Sequence, residues 1–352
     1  MENHRVALVT GANGYLGQCI CRRLITEIST DHKEVEKLTI VVTSRTFRTV
    51  TAIVKDLQSF TQKLQLKSKC KLQVSFDYLL FDQTDMVSVL TASYQLQKRF
   101  THLDYIFFNS SHSQMGGIDY WQATKDFFTN PIRAFTVGTF KIQGVARKSG
   151  DGMGATFEAN VFAPYFLVQH IKESLLHPGS RLIWISTSIS LPEFFDPNDI
   201  GIEKSEHSYE CSKYELELLH QATYKQLYEK DGIQSWLLQP GVFKSTTFVP
   251  TMNIFMYISM LVMFYICRWF GSPYHCIYPE LASNAPIWCA LKADPKVDSM
   301  GIKYGSSTSR LGSERLMRSN VDFTEENAAL VLDYVKGLEK EWDEKLKDQV
   351  LE

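Results

Sequence analysis

The chain has 352 residues, with 37 basic and 39 acidic side chains and a formal charge of −2. That balance excludes a polybasic protein built for phosphate backbones. A hydrophobic content of 44% excludes an acidic, disordered chain. Seven cysteines, odd in number and without CxxC spacing, predict neither a disulfide framework nor a zinc site, and no His/Cys/Asp set has metal spacing. The stretch MENHRVALVT has no apolar run behind a basic start, so a reducing, cytosol-facing compartment is expected.

In chain order, short apolar runs alternate with helical patterns. Strands are expected at 6–10, 38–43, 74–81, 103–108, 181–185 and 233–238. Helices are expected between them at 18–27, 50–69, 86–100, 157–176 and 209–230. This alternation predicts one α/β domain over 1–352, built on a doubly wound, Rossmann-type parallel sheet. Ligands of such sheets bind beyond the carboxyl ends of the strands. Two stretches break the pattern. Residues 113–155, rich in glycine and aromatics, read as an insertion. Residues 243–278 hold ten aromatics and almost no charge, which predicts an apolar helical substrate cap in the C-terminal third. At the end, 324–352 reads as an amphipathic helix with Val331, Val335, Leu338, Trp342 and Leu346 on one stripe.

The first strand runs into Thr10-Gly11-Ala12-Asn13-Gly14-Tyr15-Leu16-Gly17 and then a helix. Glycines there permit a tight turn and let backbone N–H groups approach a pyrophosphate at the helix N-terminus. A phosphate loop of the Walker type is excluded, because Gln18 rather than lysine follows Gly17. The second strand ends in Thr43-Ser44-Arg45, with no acid to hold a ribose 2′-hydroxyl. An arginine there accommodates a 2′-phosphate, so NADPH is the expected cofactor. Asp82 and Asn109 close the third and fourth strands and would line the same crevice.

Tyr209 and Lys213 stand four residues apart, on one face of a predicted helix. A cation beside a phenol favours phenolate, which is expected to lower the tyrosine pKa and suit it to proton transfer. The fifth strand ends just before them in the hydroxyl cluster Ser186-Thr187-Ser188. Pro240-Gly241 closes the sixth strand after them.

Together these residues resemble the short-chain dehydrogenase/reductase family over roughly 5–250. The turn Thr10–Gly17, the triplet Asn109-Ser110-Ser111, Asn160, the 186–188 cluster with Tyr209 and Lys213, and the segment 240–245 carry the likeness. Beyond it, the whole chain resembles the fungal 3-keto-steroid reductases of sterol C-4 demethylation. TIVVTSRT at 39–46, ANVFAPY at 159–165, KYGSSTSR at 303–310 and EWDEKLKDQ at 341–349 carry that likeness. The turn departs from the common pattern at Tyr15, where glycine is usual, and the triplet has two serines in place of alanine and glycine.

The resemblance implies reduction of a sterol C-3 ketone by NADPH. Tyr209 would donate the proton, and Lys213 would lower its pKa and bind the nicotinamide ribose. Thr187 or Ser186 would hold the carbonyl oxygen, and Asn160 would hold a water of the proton relay. Gly11, Leu16, Gly17, Thr43, Arg45, Asp82, Asn109, Val242 and Ser245, with Tyr209 and Lys213, would contact the cofactor. It further implies peripheral residence on the endoplasmic reticulum membrane and lipid droplets. Its implied partners are a membrane-derived sterol, the other C-4 demethylation enzymes and oxidosqualene cyclase, with no nucleic acid. A 17-ketosteroid or retinoid reductase, or a sterol-enzyme scaffold acting through partners, are the alternative readings of the same fold.

Between Lys244 and Arg268 lie 23 residues without a charge, but Pro250 interrupts them. The strongly apolar part, 254–267, suits a cap helix or an interfacial helix better than a membrane span.

Overall fold

Valine, leucine and isoleucine runs that are buried on both faces make parallel strands, and here they build the centre of an eight-stranded sheet. The computed structural model describes residues 3–68, 71–113, 115–129, 134, 136, 141–143, 146–245 and 254–349. The strands are β1 (His4–Val9), β2 (Lys37–Ser44), β3 (Gln73–Leu80), β4 (Tyr105–Phe108), β7 (Arg181–Ile185), β8 (Gln234–Gln239), β11 (Ile302–Thr308) and β12 (Glu314–Asn320). Between β4 and β7, β5 (Met115–Ile118) and β6 (Lys141–Gln143) form a separate antiparallel pair; between β8 and β11, β9 (Val242–Phe243) and β10 (His275–Ile277) form a parallel one. The main sheet runs β12-β11-β8-β7-β4-β1-β2-β3. All its neighbours are parallel except β12, which returns antiparallel on β11.

The order reverses beside β1, so the crevice above β1 and β4 is the switch point where such sheets bind ligands. The helices in chain order are α1 (Tyr15–Asp31), α2 (Phe47–Ser68), α3 (Met86–Arg99), α4 (Tyr120–Thr129), α5 (Ala163–Leu175), α6 (Ser208–Asp231), α7 (Ile254–Trp269), α8 (Pro279–Ala282), α9 (Asn284–Leu291) and α10 (Glu325–Leu346). One apolar cluster, with Leu24, Ile25, Val42 and Trp236, fills the face under α1, α2 and α9. The other, with Phe162, Phe166, Leu218 and Val331, fills the face under α3, α5, α6 and α10.

Helix α10 is capped by Thr324, whose hydroxyl accepts from the Asn327 amide at 3.2 Å. Its buried stripe of Val331, Val335, Trp342 and Leu346 lies in the second cluster, and Tyr165 reaches across to Glu339 at 2.8 Å. The six described cysteines are free and buried. Two strands of the main sheet lie outside the expected six: β11 and β12 extend it and make it mixed. They carry Ser306, Ser307, Thr308 and Arg315 where an apolar run would signal a strand. Of the cap segment, 246–253 lies outside the described residues, and helix α7 starts at Ile254.

Candidate active site

The turn after β1 is closed by its own backbone. Gly11 takes a φ of +63°, where a Cβ would stand 2.8 Å from Ser110 Cα. A Cβ on Gly17 would stand 2.6 Å from the Gly11 carbonyl oxygen and 2.8 Å from Ala12 Cα. Gly14, at φ −77°, is the N-cap of α1 and offers no capping side chain. The first-turn amides of Tyr15, Leu16 and Gly17 therefore have no helical acceptor, and no acid stands in that turn. This is an anion cradle of the kind that takes a pyrophosphate.

Two residues expected at the cofactor hold the cradle. The Gly11 amide donates to Thr43 Oγ1 at 3.2 Å. Asn109 Nδ2 donates to the carbonyls of Thr10 at 2.9 Å and Gly11 at 3.1 Å, and its own amide donates to Thr10 Oγ1. Asp82 accepts from the amide and hydroxyl of Thr84 at 3.0 and 2.8 Å, so its carboxylate shapes the turn after β3. Arg45 is exposed at the end of β2. His112 loses proton affinity first through burial and then through the Arg45 charge, with Asp82 opposing, so these three groups lie near one another. Val242 lies on β9, where its amide donates to the Tyr274 carbonyl at 2.6 Å, and half-buried Ser245 follows it.

At the other end, the hydroxyls of Thr187 and Ser111 stand beside the Tyr209 phenol and favour its ionised form. Lys213 Nζ stands 5.9 Å from the Tyr209 ring centre and donates to the Ile185 carbonyl at 2.9 Å. The backbone just past β7 separates the two candidate hydroxyls. Successive residues point to opposite sides, so Thr187 meets Tyr209 while Ser186 bonds Glu217 in the interior. Thr187 is thus the hydroxyl beside the phenol. Ser111, the third residue of the triplet, is a second one that the sequence did not single out.

Asn160 lies in a π-turn, Glu158–Phe162, that leads into α5. Its Oδ1 accepts from the His112 amide at 2.7 Å, and its Nδ2 donates to the His112 carbonyl at 2.9 Å and to Ser212 Oγ at 2.9 Å. The side chain is therefore committed to tying the end of β4 to α6.

The expected depression of the tyrosine pKa is reversed. Burial pushes the Tyr209 phenol up to about 12, the Glu210 carboxylate adds to this, and the bonds from Ser111 and Thr187 oppose it. Burial also pulls Lys213 down to about 8, against the pull of Glu217. Desolvation exceeds the attraction of an ammonium that lies over the ring rather than against the oxygen. A phenol that stays protonated at neutral pH is an acid, suited to giving a proton to a reduced carbonyl.

No family model matches the chain. Full-length relatives do. It is 41% identical to the 3-keto-steroid reductase of Kluyveromyces lactis, over 99% of this chain and 98% of that protein. It is 42% identical to that of Saccharomyces cerevisiae over the same shares, and 35% identical to that of Yarrowia lipolytica over 98% of each. The chain belongs to the 3-keto-steroid reductase family. Its fold is that of the short-chain dehydrogenase/reductases. The L-sorbose reductase of Gluconobacter frateurii, solved with NADPH and L-sorbose, aligns with a TM-score of 0.57 at 14% identity, over 89% of this chain and 98% of that one. YwfH, an NADPH-dependent reductase of bacilysin biosynthesis, aligns with a TM-score of 0.56 at 14% identity, over 88% and 99%. Membership in the 3-keto-steroid reductase family fits a site that couples a dinucleotide cradle to a protonated phenol.

Proposed function

We propose that this chain is an NADPH-dependent reductase of the C-3 ketone of sterols, acting on 4-methyl and 4-desmethyl 3-ketosterols in sterol C-4 demethylation. The observation that carries it is the placement of the Thr187 hydroxyl beside the buried Tyr209 phenol, with buried Lys213 near the same ring, in a chain about 40% identical over its whole length to 3-keto-steroid reductases. The glycine cradle, free first-turn amides and Arg45 fit a dinucleotide carrying a 2′-phosphate. NADPH, when bound, supplies the hydride. Thr187 Oγ1 holds the ketone oxygen, and Tyr209 gives that oxygen its proton as charge develops there. Lys213 places a cation against the wall of the same pocket. Purified protein with NADPH and a 4-methyl-3-ketosterol tests this. Wild type should consume NADPH and yield the 3-hydroxysterol, whereas Tyr209→Phe should be slower by about 100-fold or more. Absence of turnover by wild type with intact NADPH binding would overturn the reading.

We also propose that the enzyme works on a lipid surface, at the endoplasmic reticulum or lipid droplets. Among the described residues no helix is long and apolar enough to cross a membrane. Supporting a peripheral contact, α7 turns Phe255, Ile258, Val262, Ile266 and Trp269 to solvent. Beside its end, Phe270 and Leu311 are exposed, next to Arg310 and Arg315. An apolar face rimmed by arginines suits an acyl boundary beneath anionic headgroups. A membrane-dissolved sterol would reach the site there, and the other C-4 demethylation enzymes and oxidosqualene cyclase are the proposed neighbours.

A further inference from the structure

We propose that the buried Glu217–Lys303 pair is a positioning device that holds the Ser186–Ser190 turn so that Thr187 meets the Tyr209 phenol. This rests on the reductase reading and names two residues outside the Tyr209, Lys213 and Thr187 set. Glu217 follows Lys213 by four residues, as Lys213 follows Tyr209, so all three lie along one face of α6. Lys303 comes from β11, far along the chain. Both side chains are more than nine-tenths buried.

Every hydrogen of the Lys303 ammonium has an acceptor: Glu217 Oε1 at 2.8 Å, Ser190 Oγ at 3.0 Å and the Thr187 carbonyl at 3.2 Å. The same Glu217 oxygen is in reach of the Ser186 and Ser190 hydroxyls. The pair therefore grips the turn at both ends and at the Thr187 backbone, leaving the Thr187 side chain directed to Tyr209. A buried ion pair seldom adds net stability over an apolar pair of similar shape, because desolvation consumes the Coulomb gain. What it supplies is direction. Displacing a catalytic hydroxyl by about 1 Å costs up to about 100-fold in rate.

The experiment is a double-mutant cycle on the full chain, with Glu217→Gln, Lys303→Met and the double variant. Each is measured for kcat and KM with NADPH and a 4-methyl-3-ketosterol, for NADPH affinity by fluorescence, and for melting temperature. Each single variant should lose about tenfold or more in kcat, with KM and NADPH affinity within about threefold of wild type. The double variant, free of an unpaired buried charge, should regain melting temperature but not kcat. Recovery of kcat together with melting temperature would mean that the pair is merely structural and would overturn the proposal. If the single variants do not fold, the double variant and Ser190→Ala still decide it: wild-type kcat in both would overturn it. An inactive wild type would instead overturn the reductase reading, and this assignment with it.

Discussion

Lys213 donates to the Ile185 carbonyl at 2.9 Å from a wholly buried position, so a cation sits in the protein interior with a backbone oxygen as its hydrogen-bond acceptor. Burial lowers its pKa from 10.5 to about 8. The unfolded chain therefore binds the proton more tightly than the folded one between those two values. The charged lysine costs stability in full below about pH 8, and the cost fades as pH rises towards 10.5. Lys213→Met should thus melt higher than wild type at pH 7 in the absence of cofactor, by up to about 3 kcal/mol less the lost hydrogen bond. The difference should shrink between pH 8 and 10.5 while reductase activity is lost at every pH. Melting curves across that range check the sign, and a gap that widens with pH would contradict it.

The three glycines of the nucleotide turn are not equivalent. A Cβ on Gly17 would be 2.6 Å from the Gly11 carbonyl oxygen, whereas one on Gly14 meets the same oxygen at an ordinary 3.5 Å. Gly17→Ala should therefore push the turn apart and weaken NADPH binding by about tenfold or more, with a stability loss of about 1–3 kcal/mol. Gly14→Ala, at a φ of −77°, should stay within about 1 kcal/mol of wild type. Fluorescence titration with NADPH and thermal melts of the two variants side by side make the test.

Much of this layout was legible because parallel strands buried on both faces leave plain apolar runs, as in Val6–Val9 and Ile40–Val42. The Tyr209–Lys213 spacing was legible because four residues is close to one helical turn. Strand β11 was not, since its buried side chains include Ser306, whose hydroxyl donates to the Ala282 carbonyl and accepts from the Ala285 amide. Polar residues satisfied by distant backbone leave no local period. With β11 hidden, Lys303 could not be placed near Thr187. The choice between Ser186 and Thr187 stayed open in the sequence for a different reason. A one-residue change of frame reverses which side each faces, and only the strand register fixes it. The committed side chain of Asn160 depends on a π-turn and on backbone 48 residues away, neither of which a spacing rule encodes.

Cofactor choice should respond to Arg45 alone. It is exposed at the crevice, and its charge reaches His112. Arg45→Ala removes the proposed partner of a 2′-phosphate without touching the cradle, which Thr43 and Asn109 hold. NADPH affinity should fall by about tenfold or more, as expected for a charge-assisted bond, and NADH affinity should change little. Equal losses for both nucleotides would show that Arg45 supports the turn and does not read the phosphate.

The exposed end of α7 gives the last prediction. Trp269 and Phe270 are 71% and 72% exposed and Leu311 is 87% exposed, around a groove of about 740 Å³ that Arg310 and Arg315 also line. The Arg310 guanidinium packs against Gly271 and that of Arg268 against Gly312, so loop and helix end present one surface. Two aromatics that leave water on docking contribute about 1.5–3 kcal/mol each. Trp269→Ser with Phe270→Ser should therefore cut binding to phosphatidylcholine vesicles by about 100-fold or more. Arg310→Ser with Arg315→Ser should matter only on vesicles containing phosphatidylserine, and less as salt rises, because headgroup attraction is screened. Neither pair lies in the Tyr209 site, so NADPH affinity should be unchanged. Cosedimentation of the aromatic variant at the wild-type level would place the lipid contact elsewhere on the molecule.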